Sequence, residues 1–421
     1  MEQQIKERIE KIRRGEVPEG YKWTKIGIVP NEWNIESLKS HLIEYRHLSN
    51  DIDKFDIYSS SRNGLILQSA YYNQRNSTQT NLGYKTVPHG YVTYRHMSDD
   101  DIFHFNINRQ NQTILVSAEY PVFDTDEQLD TYFLIAYLNS MARFRYFCRG
   151  QKMGGTRTRL YFSVLGEFKL AFPPISEQQK IAEILAGQDQ VIKLKEKLLD
   201  EKQKQKKYLM QQLLTGKQRL PGFSEEWKQV KLGDFFKTIK RRNIANCETL
   251  LTISAQYGLI KQELFFNKSV AGDDKSNYYL LRKGEFAYNK SYSNDYPNGA
   301  IKRLDLYSEG IVSPLYLCLQ IENNQYSDYF VHYFESGALN RSFCSIVQEG
   351  ARNHGILNVS SKDILDIQII IPPLKEQTAI AEILSTADKE IELLKKDIEQ
   401  EKLKKKSLMQ LLLTGIVRVG A

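Results

Sequence analysis

Apolar residues recur at seven-residue spacing along two charged stretches of the chain. The first series is Leu185, Ile192 and Leu199, with Leu209 and Leu213 after a lysine-rich break, and the second is Leu384, Ile391, Ile398, Leu408 and Leu412. This spacing places one apolar seam on a long helix and is typical of a coiled-coil face. Because such a helix is not stable alone, we predict that the two helices pack against each other in antiparallel orientation.

Both stretches belong to an internal repeat. "PPISEQQKIAEIL" begins at Pro173 and "PPLKEQTAIAEIL" at Pro372, and the copies close with "LMQQLLTG" at Gly216 and "LMQLLLTG" at Gly415. The offset is 199 residues at the start (372 less 173) and at the end (415 less 216), so no gap is needed. Further upstream, "PNEWNIESL" matches "SEEWKQVKL" at Trp33 and Trp227. The chain after about residue 30 is therefore two copies of a globular head followed by a long helix.

The heads have the pattern of mixed α/β structure in which strands dominate. Tyr, Ile, Val and Phe alternate with polar residues between Gly- and Asn-rich turns, which predicts strands. "DTYFLIAYLNSMARFRYF" and "SDYFVHYFESGALNRSF" predict one amphipathic helix in each head. The expected fold class is α+β, with two tandem α/β heads separated by an antiparallel coiled-coil spacer of two long helices in a pseudo-twofold repeat. The predicted segments are an N-terminal helical extension (1–30), the first head (31–172), the first spacer helix (173–216), the second head (217–371) and the second spacer helix (372–416).

Composition narrows the class of protein only modestly. The 421 residues carry a formal net charge of +7, a mild lean toward nucleic acid as a partner. The four cysteines lack metal-ligand spacing and suggest no disulfide framework. The N-terminus "MEQQIKERIEKIRRG" is a charged helix rather than a signal peptide, and no apolar run is long enough to span a membrane. We expect a cytoplasmic protein.

Motifs for catalysis are absent from the sequence. There is no Gly-rich phosphate loop ending in Gly-Lys-Ser/Thr, and the seven histidines show no ligand or triad spacing. "FPPI" and "IPPL" lack the Asn and the aromatic residue of an amino-methyltransferase motif. The sequence therefore predicts a chain with no catalytic residues, no metal site and no cofactor of its own.

Basic residues in loops are the candidates for DNA contact. In the first head they cluster in "RFRYFCRGQKMGGTRTRLYF", where glycines would let the backbone approach phosphate and arginines could read guanine. Loops whose flanks match differ between the copies, as in "TYRHMS" and "AYNKSYSND", which suits two heads that read different sequences. The predicted DNA-binding residues of the first head are Arg62, Arg95, Arg149, Lys152, Arg157 and Arg159. Those of the second head are Lys240, Arg241, Arg242, Lys290, Arg341, Arg352 and Asn353.

This plan resembles the specificity subunit of a type I restriction-modification system. The doubled Pro-Pro-x-x-Glu-Gln helix entry, the doubled "LMQ-LLTG" ending and the "NEW" and "EEW" head entries carry the resemblance over nearly the whole chain. It implies that each head recognises one half of a bipartite, asymmetric double-stranded DNA target, and that the helices set the unread gap. It further implies docking of two modification subunits, which methylate adenine, and two restriction subunits. S-adenosylmethionine, ATP and Mg²⁺ would belong to those partners. By the same resemblance, structural or subunit-facing positions fall at Trp33, Trp227, Glu177, Gln178, Glu376 and Gln377.

Three other interpretations remain open from the sequence. The first is the recognition subunit of a related restriction enzyme whose partner chain fuses methylase and nuclease. The second is a self-contained methyltransferase or nuclease, which would need a cofactor loop or an acidic metal site. The third is a coiled-coil scaffold without DNA, which would not explain two heads with divergent loops.

Overall fold

The computed structural model describes residues 2–68, 83–152, 154, 156–244, 246–254, 257–266, 275–290, 298–322, 325–346 and 359–420. The chain divides into two compact units. The first unit comprises Met1–Lys195 together with Asp397–Ala421, and the second comprises Glu196–Lys396. Each long helix therefore contributes one part to each unit.

The first unit holds the N-terminal extension and the first head. Its shorter helices are α1 (Glu2–Arg13), α2 (Thr131–Ser140), α3 (Ala142–Arg149) and α4 (Phe162–Gly166). The strands are β1 (Tyr21–Thr24), β2 (Gly27–Pro30), β3 (Asn34–Ser37), β4 (Leu42–Glu44), β5 (Leu48–Ser49), β6 (Tyr58–Ser61), β7 (Gly64–Leu67), β8 (Tyr84–Val87), β9 (Val92–Tyr94), β10 (Met97–Ser98), β11 (Phe105–Ile107), β12 (Ile114–Ser117), β13 (Val122–Thr125), β14 (Thr158–Arg159) and β15 (Lys169–Phe172).

The second unit holds the second head. The long helix α5 (Ile175–Leu213) leads into it, and the long helix α10 (Leu374–Leu412) leads out of it. Between them lie the strands β16 (Lys228–Lys231), β17 (Phe236–Ile239), β18 (Leu251–Ser254), β19 (Gly258–Lys261), β20 (Tyr279–Arg282), β21 (Phe286–Asn289), β22 (Ala300–Arg303), β23 (Glu309–Val312), β24 (Leu317–Ile321) and β25 (Gln368–Ile371). Its shorter helices are α6 (Gln262–Phe266), α7 (Ser327–Glu335), α8 (Asn340–Ile346) and α9 (Ser361–Leu365).

The same antiparallel sheet recurs in both heads. Four strands pair in the order β11-β9-β13-β4 in the first head and β22-β21-β24-β17 in the second, which is the same order of equivalent strands. The smaller sheets also correspond, with β3-β15 matching β16-β25, and β6-β7 matching β18-β19. The pair β8-β12 matches β20-β23, and in the first head β5 adds a third strand to it. This shared topology confirms the repeat and the α+β class with two tandem heads.

Aromatic side chains fill the core behind each sheet. Tyr94, Phe105 and Phe123 are buried between the sheet and α2 in the first head, and Phe236, Phe286 and Phe330 are buried at the corresponding place in the second. These rings meet in tilted or edge-on contacts, for example 5.5 Å between the ring centroids of Phe236 and Phe286. Such contacts add to the burial of large apolar surfaces and hold the sheet of each head against the helix behind it, α2 or α7.

The prediction of one amphipathic helix in each head was wrong, because each stretch forms two helices. In the first head the chain breaks at Met141, a buried residue with an extended backbone (ψ 129°) between α2 and α3. In the second head the break between α7 and α8 contains Gly337, whose φ is +76°. The apolar pattern continued through both breaks, so periodicity alone could not reveal them.

The long helices carry the predicted apolar seam. Leu185 and Leu384 are fully buried, and Ile192, Ile391 and Ile398 are also buried. Both helices begin directly after a Pro-Pro pair and end shortly before a glycine with positive φ, which is +69° at Gly216 and +71° at Gly415. Glycine adopts this conformation without strain, so it terminates each helix efficiently.

Polar contacts between the helices establish an antiparallel register within each unit. In the first unit Gln188 and Lys195 of α5 bond to Glu401 of α10, at 2.7 and 2.8 Å. In the second unit Lys202 pairs with Glu390 at 2.8 Å, and Lys206 pairs with Asp388. Residue numbers rise along one helix as they fall along the other, which confirms antiparallel pairing in both units. Within the described residues, no helix combines the length and apolar character that a bilayer span requires.

His332 joins the second head to α10 and should make this unit sensitive to acid. Its Nε2 lies 3.0 Å from the Ser385 hydroxyl, and its Nδ1 lies 3.7 Å from a carboxylate oxygen of Asp388. Burial lowers the pKa of His332 and nearby Lys206 adds to this, while Asp388, Glu335 and Asp328 oppose it. An unfolded histidine titrates near about 6.5. The stability that neutral His332 supplies is therefore complete above that pH and is lost as the pH falls toward the lower pKa of the folded state.

We expect His332→Gln to flatten the decline of the melting temperature between pH 7.5 and 5.5. Part of the slope should persist, because burial also lowers the pKa of His96 and His104 in the first unit. Thermal unfolding followed by circular dichroism measures this, and a variant at exposed His89 (H89Q) controls for the loss of any histidine. Equal slopes in wild type and H332Q would contradict the assignment.

Candidate nucleic-acid interface

Three predicted DNA-binding arginines of the first head are held by three consecutive aspartates. Arg157 pairs with Asp99 at 2.7 Å, Arg62 pairs with Asp100, and Arg149 lies 3.8 Å from Asp101. We call this set the aspartate clasp (Asp99–Asp101 with Arg62, Arg149 and Arg157). The Arg62 guanidinium holds the pKa of Asp100 at about 2, so this carboxylate is charged at neutral pH. The three aspartates therefore neutralise the positive charge of these arginines, on which their prediction as DNA-binding residues was based.

The other predicted residues of the first head are exposed and lack such counter-charges. Arg95, Lys152 and Arg159 lie at the surface, and in the described part of the chain none of them has an ion pair or a hydrogen bond to its side chain. By contrast Arg143, a neighbour in the same basic cluster, is bonded to the Lys169 carbonyl and stacks over the Phe168 ring. The guanidinium donors of Arg95 and Arg159 are thus unused within the described protein, whereas Arg143 stabilises the head.

In the second head the structure describes five of the seven predicted residues, and three of these five are engaged with the protein. Arg241 makes a double contact with Glu285, at 3.1 Å to each carboxylate oxygen, and Arg242 bonds to the Asn277 carbonyl and stacks over Tyr279. Lys290 donates to the Val359 carbonyl at 2.6 Å, and its partial burial lowers the pKa of its ammonium group. Lys240 and Arg341 are exposed. Arg352 and Asn353 lie outside the described residues.

Neither head presents the geometry of a catalytic metal centre in the described chain. Within those residues, no three His, Cys, Asp or Glu side chains come together as potential metal ligands. Cys148 and Cys318 are buried, and burial raises the pKa of each thiol to about 12, which leaves them unreactive as nucleophiles.

Comparison with known families accounts for the repeat. The model of the type I restriction modification DNA specificity domain matches residues 16–202 and matches again at residues 224–402. The chain belongs to this family. Its members recognise DNA as specificity subunits and are not catalytic, which confirms the resemblance stated from the sequence motifs.

Two curated relatives of this specificity chain come from Methanocaldococcus jannaschii. A putative type I restriction enzyme MjaX specificity subunit is 26% identical over an alignment 459 positions long, which covers 95% of this chain and 97% of the relative. The type I restriction enzyme MjaVIII specificity subunit is 28% identical and covers 65% of this chain and 68% of its own length.

Solved structures share the fold. The S subunit of a type I restriction-modification system from M. genitalium aligns with a TM-score of 0.52, covering 90% of this chain and 96% of its own, at 14% identity. A chain from a structural study of type I system assembly and conformational transition also gives a TM-score of 0.52, over 92% of this chain and 99% of its own, at 16% identity. At these identities the likeness concerns the fold.

The family positions noted in the sequence form a repeated cluster in this specificity chain. In the second unit the buried Glu376 carboxylate accepts two bonds from Arg219, both at 2.7 Å, and one from the Trp227 indole at 3.1 Å. Glu376 follows the Pro-Pro pair at the start of α10, and Trp227 begins the second head. The cluster therefore connects the start of the second head to the start of α10.

The first unit builds the same cluster from both ends of the chain. Glu177 accepts from Arg418 at 2.6 and 2.7 Å and from the Trp33 indole at 3.3 Å. Neither arginine was predicted from the sequence, although Arg219 and Arg418 lie 199 positions apart, the same offset as the helices. Gln178 and Gln377 also repeat, each donating at 2.9 Å to the carbonyl of the first proline before its helix. These six positions therefore make structural contacts within each unit, one of the two roles that the resemblance implied for them.

Proposed function

We propose that this chain recognises a bipartite, asymmetric DNA target, with the first head (31–172) bound to one half-site and the second head (217–371) to the other. The observation that carries the proposal is the identical strand order of the four-stranded sheet in the two heads, combined with different side chains at matching sites. Arg95 follows β9 in the first head, whereas Asn289 ends the equivalent strand β21 in the second. A shared frame with different surface chemistry suits two readers of different sequences.

We further propose that the helix pair docks the modification subunits. Apolar side chains are exposed on α5 in the first unit, at Ile184, Val191 and Leu194, outside the seam that pairs the two helices. In the second unit a groove of about 520 Å³ runs between the helices, with Leu209 and Ile383 in its lining and Lys202 and Glu390 at its polar edge. Exposed apolar residues framed by charges are typical of subunit interfaces.

In the assembled complex, the chemical activities would belong to the partner subunits. Two modification subunits would supply S-adenosylmethionine chemistry on adenine, and two restriction subunits would supply ATP- and Mg²⁺-dependent cleavage, with the whole complex acting on DNA in the cytoplasm. This chain would contribute recognition alone.

A methylome tests the proposal directly. The chain is expressed with the modification subunit encoded beside it in a methylation-free bacterium, and modified adenines are mapped by sequencing. A two-part motif with a fixed unread gap, absent when this chain is omitted, is the expected result. A compact motif, or one that persists without this chain, would reject the two-headed model.

Insertion of one heptad into each long helix should lengthen the unread gap. Seven residues added after Lys195 in α5 and seven after Lys396 in α10 fall where the chain passes between the units, and they preserve the phase of the apolar seam. The helices grow by about 10.5 Å at about 1.5 Å per residue. We expect the gap to widen by about 3 base pairs at about 3.4 Å each, with both half-sites unchanged. The methylome of the variant measures this, and altered half-sites would contradict a spacer role.

A further inference from the structure

A short two-stranded ribbon stands at the surface of the first head. β10 and β14 pair in antiparallel register, with Met97 opposite Arg159 and Ser98 opposite Thr158. The pairing extends by one step, because the Leu160 amide donates to the His96 carbonyl at 2.8 Å. The ribbon therefore runs over residues 96–98 on one strand and 158–160 on the other, and Arg95 and Tyr161 flank it.

Burial alternates along this ribbon. His96, Ser98, Thr158 and Leu160 are all buried. Met97 and Arg159, which alternate with them, and Arg95 and Tyr161, which flank the paired residues, are exposed or half-buried, and Tyr161 is 54% exposed. Alternate residues of a strand point to opposite sides, so one side of the ribbon anchors it and the other presents Met97 and Arg159 to solvent. The exposed side chains of Arg95 and Tyr161 flank this side.

The anchored side is tightly held. The hydroxyl of Tyr94, a core residue of β9, donates to the Leu160 carbonyl at 3.1 Å, and the Thr158 hydroxyl donates to Asp101. The exposed ring of Tyr161 lies roughly parallel to the His96 ring, with 5.9 Å between centroids and 28° between planes. A reading surface gains specificity when its side chains are held in place before the ligand arrives, and these contacts supply that rigidity.

The arginines at the ribbon differ from those of the adjacent aspartate clasp in whether a carboxylate neutralises them. Arg62, Arg149 and Arg157 each face a carboxylate, whereas the described structure gives Arg95 and Arg159 no side-chain partner. An unpaired arginine keeps the two parallel N–H donors that match the O6 and N7 acceptors of guanine. An arginine already bound to aspartate would first have to give up that bond.

We propose that the exposed side of this ribbon reads base edges in the major groove of the half-site bound by the first head. The major groove is wide enough for a two-stranded ribbon. Arg95 and Arg159 bind guanine, Met97 provides an apolar contact, and the Tyr161 ring and hydroxyl contact a neighbouring base edge. The clasped arginines do not read bases. This inference rests on the proposed function and names its base-reading residues in one head.

The test compares methylomes of single variants in the assembled modification complex. Arg159→Gln and Arg95→Gln are each expected to make one position of one half-site degenerate, with about 10- to 100-fold less discrimination there, as expected for loss of a bidentate contact. The other half-site and the gap should stay unchanged. Arg159→Lys keeps the charge but lacks the planar fork, so it should relax the same position while preserving methylation efficiency.

Two comparisons make the result specific. Arg157→Gln should leave the recognised bases unchanged, because its guanidinium is bound to Asp99. Arg46→Gln removes an arginine paired with Glu44 elsewhere on the first head and controls for lost surface charge. An unchanged motif in R159Q, R159K and R95Q would overturn the inference, as would a uniform loss of methylation without degeneracy, which indicates phosphate contact. The two-part motif of the wild-type chain reports separately on the proposed function.

Discussion

Replacing Trp33 by alanine is expected to lower the free energy of unfolding of the first unit by about 4 kcal/mol. The indole is 1% exposed and packs in a small core with Val29 and Ala171. Its removal also takes away the donor to Glu177 and the ring that lies against Gly415. The substitution thus creates a cavity at the point where both ends of the chain meet α5.

Trp23 provides a matched control only ten residues away. Its side chain is 66% exposed on β1, so Trp23→Ala should change stability by less than about 0.5 kcal/mol. Urea unfolding followed by circular dichroism, fitted with separate transitions for the two units, measures both variants. Similar losses for W33A and W23A, or a loss confined to the second unit's transition, would show that Trp33 is not the anchor of the first unit.

The features of this fold that could be predicted from the sequence are those that occur in both copies of the internal repeat. Leu185 and Leu384 recur at the same place in each copy, so their burial and the antiparallel pairing of their helices could be inferred without coordinates. Strand-rich heads were likewise predicted by alternation. The helix breaks at Met141 and Gly337 were not, because apolar residues continue through them and only the backbone changes direction.

The basic residues of the candidate interface could be predicted from the sequence, but the aspartates that pair with some of them could not. Arg62 and Asp100 lie 38 positions apart, and Arg157 and Asp99 lie 58 apart, so no local pattern links them. Only the fold brings β6, β10 and β14 close enough for these pairs to form. The sequence therefore ranked Arg157 and Arg159 alike, whereas the structure separates a paired guanidinium from an unpaired one.

Removal of the Arg418 side chain should destabilise the first unit more than removal of the whole ion pair. Glu177 is buried, and Arg418→Met leaves its carboxylate without a counter-charge, at a cost of about 3 kcal/mol. The second contact of Arg418, with Glu32, involves a carboxylate that is 70% exposed and contributes little. The double variant R418M/E177L replaces the pair by apolar groups. It leaves only the Trp33 indole without its acceptor, so we expect it to recover about 2 kcal/mol of that loss.

A double-mutant cycle of R418M, E177L and the combined variant measures this coupling by urea unfolding. Arg46→Met serves as the control, since Arg46 and Glu44 form an ion pair at the surface, where we expect no measurable change. If the effects of R418M and E177L simply add, the buried carboxylate does not depend on the arginine.

A comparison of the two units supports a dependence of the Glu177 carboxylate on Arg418. In the second unit Arg219 and Trp227 reach Glu376 from one continuous segment, whereas in the first unit Arg418 and Trp33 reach Glu177 from opposite ends of the chain. Because these two partners come from distant parts of the chain, the shared carboxylate helps to fasten the C-terminal segment to the first head, together with the packing of Leu412 and Leu413 into its core.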